Sequence, residues 1–254
     1  MSNETIWLTL AGVGADLTGS VAGLASLVSY PALLAAGLPA VTANVTNTVA
    51  LFGVTGGTIA GSQRELRGQG GRIIRLVSVS VAGGAAGAAL LLLTPAEAFE
   101  AVVPWLVGLG SVLLLGRDRV RAWVAARPGR GPGLSETRRS LAWGLAVLVL
   151  GVYGGYFGAG VGIIALAVLA LERAEPLAVT NAVKNVATGA ANGTAAIAYI
   201  AFAPVEWSAA LPLGLGAVLG GLVGPAVVRV APETPLRWLV GSAGLLLAVG
   251  LGIN

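Results

Sequence analysis

Unbroken apolar runs of about twenty residues recur along the whole of this 254-residue sequence. That is the length a helix needs to cross a hydrocarbon core of about 30 Å. Inside a bilayer, backbone polar groups must find their partners within the segment, so such runs are predicted to be helical. A β-barrel would instead show alternating segments of about ten residues. Composition agrees with this, being 56% hydrophobic and 10% charged, where soluble domains carry roughly 25% charged residues. The fold class is therefore predicted as all-α, a polytopic membrane helical bundle. Eight spans are expected, near residues 5–27, 40–61, 73–93, 99–116, 140–171, 177–201, 208–229 and 236–253. Residues 1–5 lack the basic region of a secretory signal, so the first span is expected to drive insertion.

Several chemistries are excluded by what the chain lacks. It has no cysteine and no histidine, so disulfides, thiolate metal sites, imidazole relays and Ser-His or Cys-His nucleophiles are all ruled out. An intramembrane enzyme is not expected, and neither is a metal or another cofactor. No G-x-x-x-x-G-K-[ST] motif is present to hold ATP. A pI near 10.1 could suggest nucleic acid, but the arginines sit in short segments between spans, where the positive-inside rule accounts for them. Arg64, Arg67, Arg72 and Arg75 mark one such segment. Arg117, Arg119, Arg121, Arg127, Arg130, Arg138 and Arg139 mark another, which includes the helix-breaking run PGRGPG. Two spans separate these segments, so both are expected on the cytoplasmic side, and an even count of spans puts both termini there too.

The Arg-rich linker divides the chain into residues 1–116, 117–139 and 140–254, and the flanking parts resemble each other. Ala40-Val41-Thr42, Val45 and Asn47 match Ala178-Val179-Thr180, Val183 and Asn185 at a constant offset of 138. Gly83, Gly84, Gly87 and Pro95 match Gly220, Gly221, Gly224 and Pro232 at 137. Two homologous repeats of four helices are predicted, an arrangement in which transporters place substrate at the repeat interface. The basic segment at 62–75 has FAPVEW as its counterpart, with one acid and no base. An inverted arrangement would follow if the long fifth segment crosses twice; the sequence leaves parallel and inverted repeats both open.

That fifth segment contains GVYGGYFGAGVG, six glycines in twelve positions. Glycine costs about 1 kcal/mol in a helix interior relative to alanine, so the run invites a break. It also suits close helix packing through G-x-x-x-G spacing. The first-half counterpart is GADLTGSVAGLASLVSYP at 14–31, containing Asp16, the one acidic residue expected inside the bilayer. An ion partner for Lys184 or a proton carrier is the expected role.

Lys184 is the only lysine; the other fourteen basic residues are arginine. It lies inside an apolar span, where a charge near mid-bilayer costs roughly 2.5–3.5 kcal/mol. Asn181, Lys184, Asn185, Thr188 and Asn192 share one helical stripe at i, i+3, i+4, i+7 and i+11, and Asn44, Thr46, Asn47 and Thr48 lie in the first-half equivalent. Interhelical hydrogen bonding would explain the amides. It does not explain the ammonium, and amides around one cation suit a small oxyanion held without a metal.

The glycine-rich turn followed by an Asn/Thr or Asn/Lys helix occurs twice, as GSVAGLASLVSYPALLAAGLPAVTANVTNTVAL and as GVYGGYFGAGVGIIALAVL with AVTNAVKNVATG. This resembles the sulfite exporter TauE/SafE family over nearly the whole chain. The resemblance implies an eight-span duplicated transporter exporting sulfite, an organosulfonate or a related sulfur oxyanion, and it carries most directly to Gly158, Gly160, Gly162 and the Asn181–Asn185 stretch. The first-half turn, Gly19-Ser20-Val21-Ala22-Gly23, departs from the family's G-[IV]-G-G-G pattern. The expected substrate contacts are Lys184, Asn185, Asn181, Asn44, Asn47, Thr188, Gly158, Gly160 and Gly162, with Asp16 coupling or pairing, in a multi-pass protein of the cell membrane. The partners are a small anion and lipid, not nucleic acid, and oligomeric state is not legible. The alternative is a non-transporting subunit that docks a partner through the basic loop.

Overall fold

The computed structural model describes residues 3–22, 25–126, 136–173, 175–228 and 233–253. In these the chain forms twelve helices. They are α1 (Asn3–Ala22), α2 (Ser26–Ala35), α3 (Ala40–Gly61), α4 (Gln63–Leu66), α5 (Gly70–Leu93), α6 (Ala96–Leu115), α7 (Arg117–Ala125), α8 (Glu136–Tyr156), α9 (Val161–Glu172), α10 (Leu177–Phe202), α11 (Trp207–Val228) and α12 (Glu233–Ile253). Eight of them run 20 to 26 residues, or 30 Å and more at 1.5 Å per residue. α5 and α6 meet both length and hydropathy requirements for crossing a membrane among the described residues.

The distribution of side chains is that of a membrane protein. Trp105 is 79% exposed and Leu141 74%, whereas Asp16, Ser29, Asn44, Thr46, Asn47 and Ser80 are buried. Large apolar side chains facing outward in such numbers would aggregate in water and are at home in lipid.

Glycine contacts fix the sense of each helix pair. Gly216 of α11 packs on Thr9 of α1, and Gly220 on Val13, so these helices run parallel. Gly83 of α5 meets Leu148 and Gly151 of α8, and Gly87 meets Val152 and Tyr156, again parallel. α6 and α12 are antiparallel, Gly244 lying on Ser111 and Gly252 near Pro104. So are α3 and α10: the Glu206 backbone N–H donates to Thr46 Oγ1 at 3.0 Å, while Gly193 faces Phe52.

Ion pairs then define one face. Arg72, at the start of α5, holds Glu172 and Glu175 at 2.7 Å each, and Arg237, at the start of α12, holds Asp118 at 2.5 Å. The Arg-rich segments share this face. The connections at 36–39, 94–95 and 203–206 lie on the other, together with the start of α1 and the end of α12.

The sequence predicts the termini on the Arg-rich face, and the helix directions put both on the opposite one. The cause is a returning arm in each half. α2 folds back along α1, Gly14 packing near Val28, and α9 folds back along α8, so that Val147, Gly151 and Gly154 face Val161, Ala165 and Leu169 across one cavity. At 10 and 12 residues these arms cover about 15–18 Å, too short to count as spans yet enough to carry the chain back. The reading of 140–171 as one span therefore becomes two helices. The helix α7 occupies part of the expected 117–139 linker, of which 127–135 lie outside the described residues.

Candidate functional site

The glycine run does break the helix. Gly158 and Gly160 have φ of +78° and +77°, a left-handed conformation that glycine adopts without the Cβ penalty. A helix ending deep in a bundle leaves carbonyls without partners, and here two neighbouring helices and the turn's own amides supply donors. Asn44 Nδ2 of α3 donates to the Tyr156 carbonyl at 2.8 Å, and the Tyr199 hydroxyl of α10 donates to the Gly155 carbonyl. The Phe157 and Gly158 amides turn back to the Tyr153 carbonyl at 3.0 and 2.9 Å. Tyr153 itself donates to the Ala159 carbonyl at 2.6 Å. Aromatic packing seals the turn, with Phe157 edge-on to Tyr30 of α2 at 5.3 Å and Tyr156 tilted against Phe99 at 5.7 Å.

Beneath this turn lies a cavity of ≈ 20 Å³ between α5, α8, α9 and α10, room for about one water molecule. Its wall is apolar except for Ser80, Thr188 and Asn192. Thr188 Oγ1 donates back to the Lys184 carbonyl at 3.0 Å, so its hydroxyl presents only acceptor capacity to the cavity. Asn192 Oδ1 is buried and has no hydrogen-bond partner among the described residues. Lys184 lies one turn from Thr188, seven residues after Leu177, hence about 10 Å from the start of the helix. That sets it toward the Arg-rich face rather than mid-bilayer, with the Arg117 guanidinium as a charged neighbour.

The expected site residues fall into separate groups. Thr188 lines the cavity. Lys184 and Asn185 are half-buried at its Arg-rich end, and Asn181 is exposed one turn into α10. Asn44 caps α8, leaving its Oδ1 buried without a partner among the described residues. Asn47 accepts a hydrogen bond from Ser29 of α2 at 2.5 Å, tying the first hairpin to α3. Gly158 and Gly160 form the turn and Gly162 opens α9, and none of the three lines the cavity. Asp16 is buried against Gly220 and Gly221 of α11, with Val54 of α3 near Gly221. The structure does not bring it to Lys184, so the expected ion pair is not formed. Sequence reasoning did not single out Ser80 or the capping Tyr199. It placed Asn192 on the polar stripe without giving it a role, although it lies eight residues beyond Lys184 on the same side of the helix.

Comparison with known proteins bears on the same residues. The model of the family "Sulfite exporter TauE/SafE" matches residues 8–251. The chain belongs to the sulfite exporter TauE/SafE family. It is 27% identical over 252 residues to "Probable membrane transporter protein ORF9" of a Sinorhizobium species, covering 96% of this chain and 91% of that protein. No solved structure matches. This TauE/SafE chain is thus a membrane transporter and not an enzyme.

Proposed function

We propose that the protein is a secondary transporter that exports a small anion, a sulfur oxyanion or organosulfonate, across the cytoplasmic membrane. The observation that carries this reading is the polar side of α10. Lys184, Thr188 and Asn192 lead from the Arg-rich face to a cavity beside a broken, folded-back helix. Irregular backbone at membrane depth is tolerated where protein or a water-filled path surrounds it, and transporters use such breaks at their binding sites.

On this reading the chain is two inverted repeats, 1–116 and 140–254, with 117–139 as a cytoplasmic linker, and eight long helices span a cell membrane. The Arg-rich face is cytoplasmic by the positive-inside rule. Lys184, with Arg117 nearby, draws an anion to the cytoplasmic mouth, and the cavity beyond Thr188, with room for about one water, must widen to admit it. An inside-negative potential favours outward movement of an anion by about 2.3 kcal/mol per charge per 100 mV, so uniport suffices. The test is efflux of sulfite, thiosulfate and sulfoacetate from proteoliposomes under an imposed potential. Efflux should rise with an inside-negative potential and collapse when the potential is dissipated, whereas no efflux of any of these anions would reject the reading.

A further inference from the structure

Two kinds of arginine stand on the Arg-rich face. Arg72, Arg173 and Arg237 each lie against a carboxylate of the protein. Arg75 and Arg138 are exposed and have no acidic partner among the described residues. They belong to α5 and α8, which run parallel in close contact, Gly83 on Gly151. That register sets Arg75 level with Trp143, each eight residues before its glycine, and the Arg75 guanidinium sits over the Trp143 ring, 5.1 Å from its centroid. A ring attracts a cation without neutralising its charge, so this guanidinium stays available to an anion. Arg138 lies five residues before Trp143, about 7.5 Å nearer the Arg-rich end of α8. Beneath both arginines the surface turns apolar. Leu141, Leu145 and Val149 follow Arg138 at helical spacing, 74%, 58% and 58% exposed. Ala82 and Ala86 follow Arg75 on α5, also exposed. A ridge of branched side chains beside a row of alanines makes a furrow that runs down from the arginines.

We propose that this furrow holds one anionic phospholipid of the cytoplasmic leaflet, its phosphate at Arg75 and Arg138 and an acyl chain along α5 and α8. Cations at headgroup height, with exposed apolar side chains directly beneath, match a molecule that carries its charge and its chains in that order. The cytoplasmic leaflet is the anionic one, and each arginine near its surface adds to the attraction. A zwitterionic lipid fits the furrow but brings a cation of its own toward the two arginines. Free phosphate meets the arginines but gains nothing from the apolar row. The proposal does not depend on which anion the protein carries.

The probes are phosphatidylglycerol, phosphatidylcholine and glycerol 3-phosphate, added to the full-length protein in neutral detergent, with affinities read from thermal stabilisation. Phosphatidylglycerol should raise the unfolding temperature saturably, and the other two should bind about tenfold or more weakly. Arg75→Gln and Arg138→Gln should each weaken phosphatidylglycerol binding about fivefold. Both side chains are exposed, so the unfolding temperature without lipid should stay near that of the parent. Arg64→Gln, on α4, which packs on α3 and α10, should leave lipid binding unchanged. An equal loss in Arg64→Gln would mean diffuse attraction to a basic face and would overturn the site. So would phosphatidylcholine binding as tightly as phosphatidylglycerol, or unchanged affinity in either Arg75→Gln or Arg138→Gln. Glycerol 3-phosphate binding as tightly as the lipid would show a phosphate site that makes no use of the furrow, and would overturn the lipid assignment.

Discussion

An ammonium two turns inside a membrane helix persists only with water or a charged ligand within reach. Lys184 has this position, half-buried on α10 near Arg117. If it draws the substrate anion, Lys184→Ala should cut efflux about tenfold or more while expression and unfolding temperature stay near those of the parent, and unchanged efflux would reject the assignment. Asp16 makes the complementary case. It is buried between α1 and α11 where Gly220 and Gly221 leave space for a carboxyl group. Asp16→Asn keeps that shape and removes the titration, so any dependence of efflux on a pH gradient should vanish if Asp16 carries protons, and a dependence that survives would end that role. Lys184 and Asp16 were both legible as charges inside apolar runs. Their separation was not, because a sequence fixes positions along a helix and not which helices lie between them. Asn192 belonged to the legible stripe, but its buried acceptor depends on Gly154 of α8, which only the packed structure brings to it.

The folded-back hairpin α8–α9 depends on two features at opposite ends. At the turn, Gly158 and Gly160 adopt positive φ, where a Cβ costs roughly 1–2 kcal/mol. Gly158→Ala and Gly160→Ala should each lower stability by about that amount, measured as thermal unfolding in detergent, whereas Gly144→Ala, at a helical position with open space around it, should not. At the other end Arg72, its side chain 4% exposed, clamps Glu172 at the end of α9 and Glu175 beyond it. Removing one member of a buried charge cluster typically costs about 3–5 kcal/mol. The two carboxylates keep 12% and 15% exposure, so Arg72→Ala should fall at the lower end of that range and free the arm, seen as faster proteolysis between α9 and α10. No change in cleavage rate would show that the clamp does not hold the arm. The break itself could be read from six glycines in twelve residues. The first-half arm was less marked, since Gly19-Ser20-Val21-Ala22-Gly23 holds two glycines where the second half has six, and Pro31 lies inside α2 without ending it.

Across the whole molecule the two halves cross in opposite senses, and each contributes a helix to the other's packing: α1 lies along α11 and α5 along α8. Such interlocking buries the glycine faces between halves, so neither half is expected to keep its core alone. Inversion also puts the matched positions Lys184 and Thr46 near opposite faces. Lys184 faces the Arg-rich side, whereas the Thr46 oxygen is taken by the Glu206 amide near the other. The polar side of α10 therefore leads in from the Arg-rich face, with no matching charge at Thr46. The number and rough limits of the long helices were legible from apolar runs, but their direction depended on whether two short arms return, and hydropathy does not register a 10-residue return. The absence of cysteine makes this testable without background. Single cysteines at Asn3, Pro95, Glu206 and Ile253, all exposed, lie on the face opposite the arginines, and those at Gln63, Asp118 and Arg173 lie on the Arg-rich face. In intact cells a membrane-impermeant maleimide should label the first four directly and the last three only after permeabilisation. Labelling of Asn3 and Ile253 in the same class as Gln63 would require halves that run parallel, and would undo both the returning arms and the placing of Lys184 and Thr46 near opposite faces.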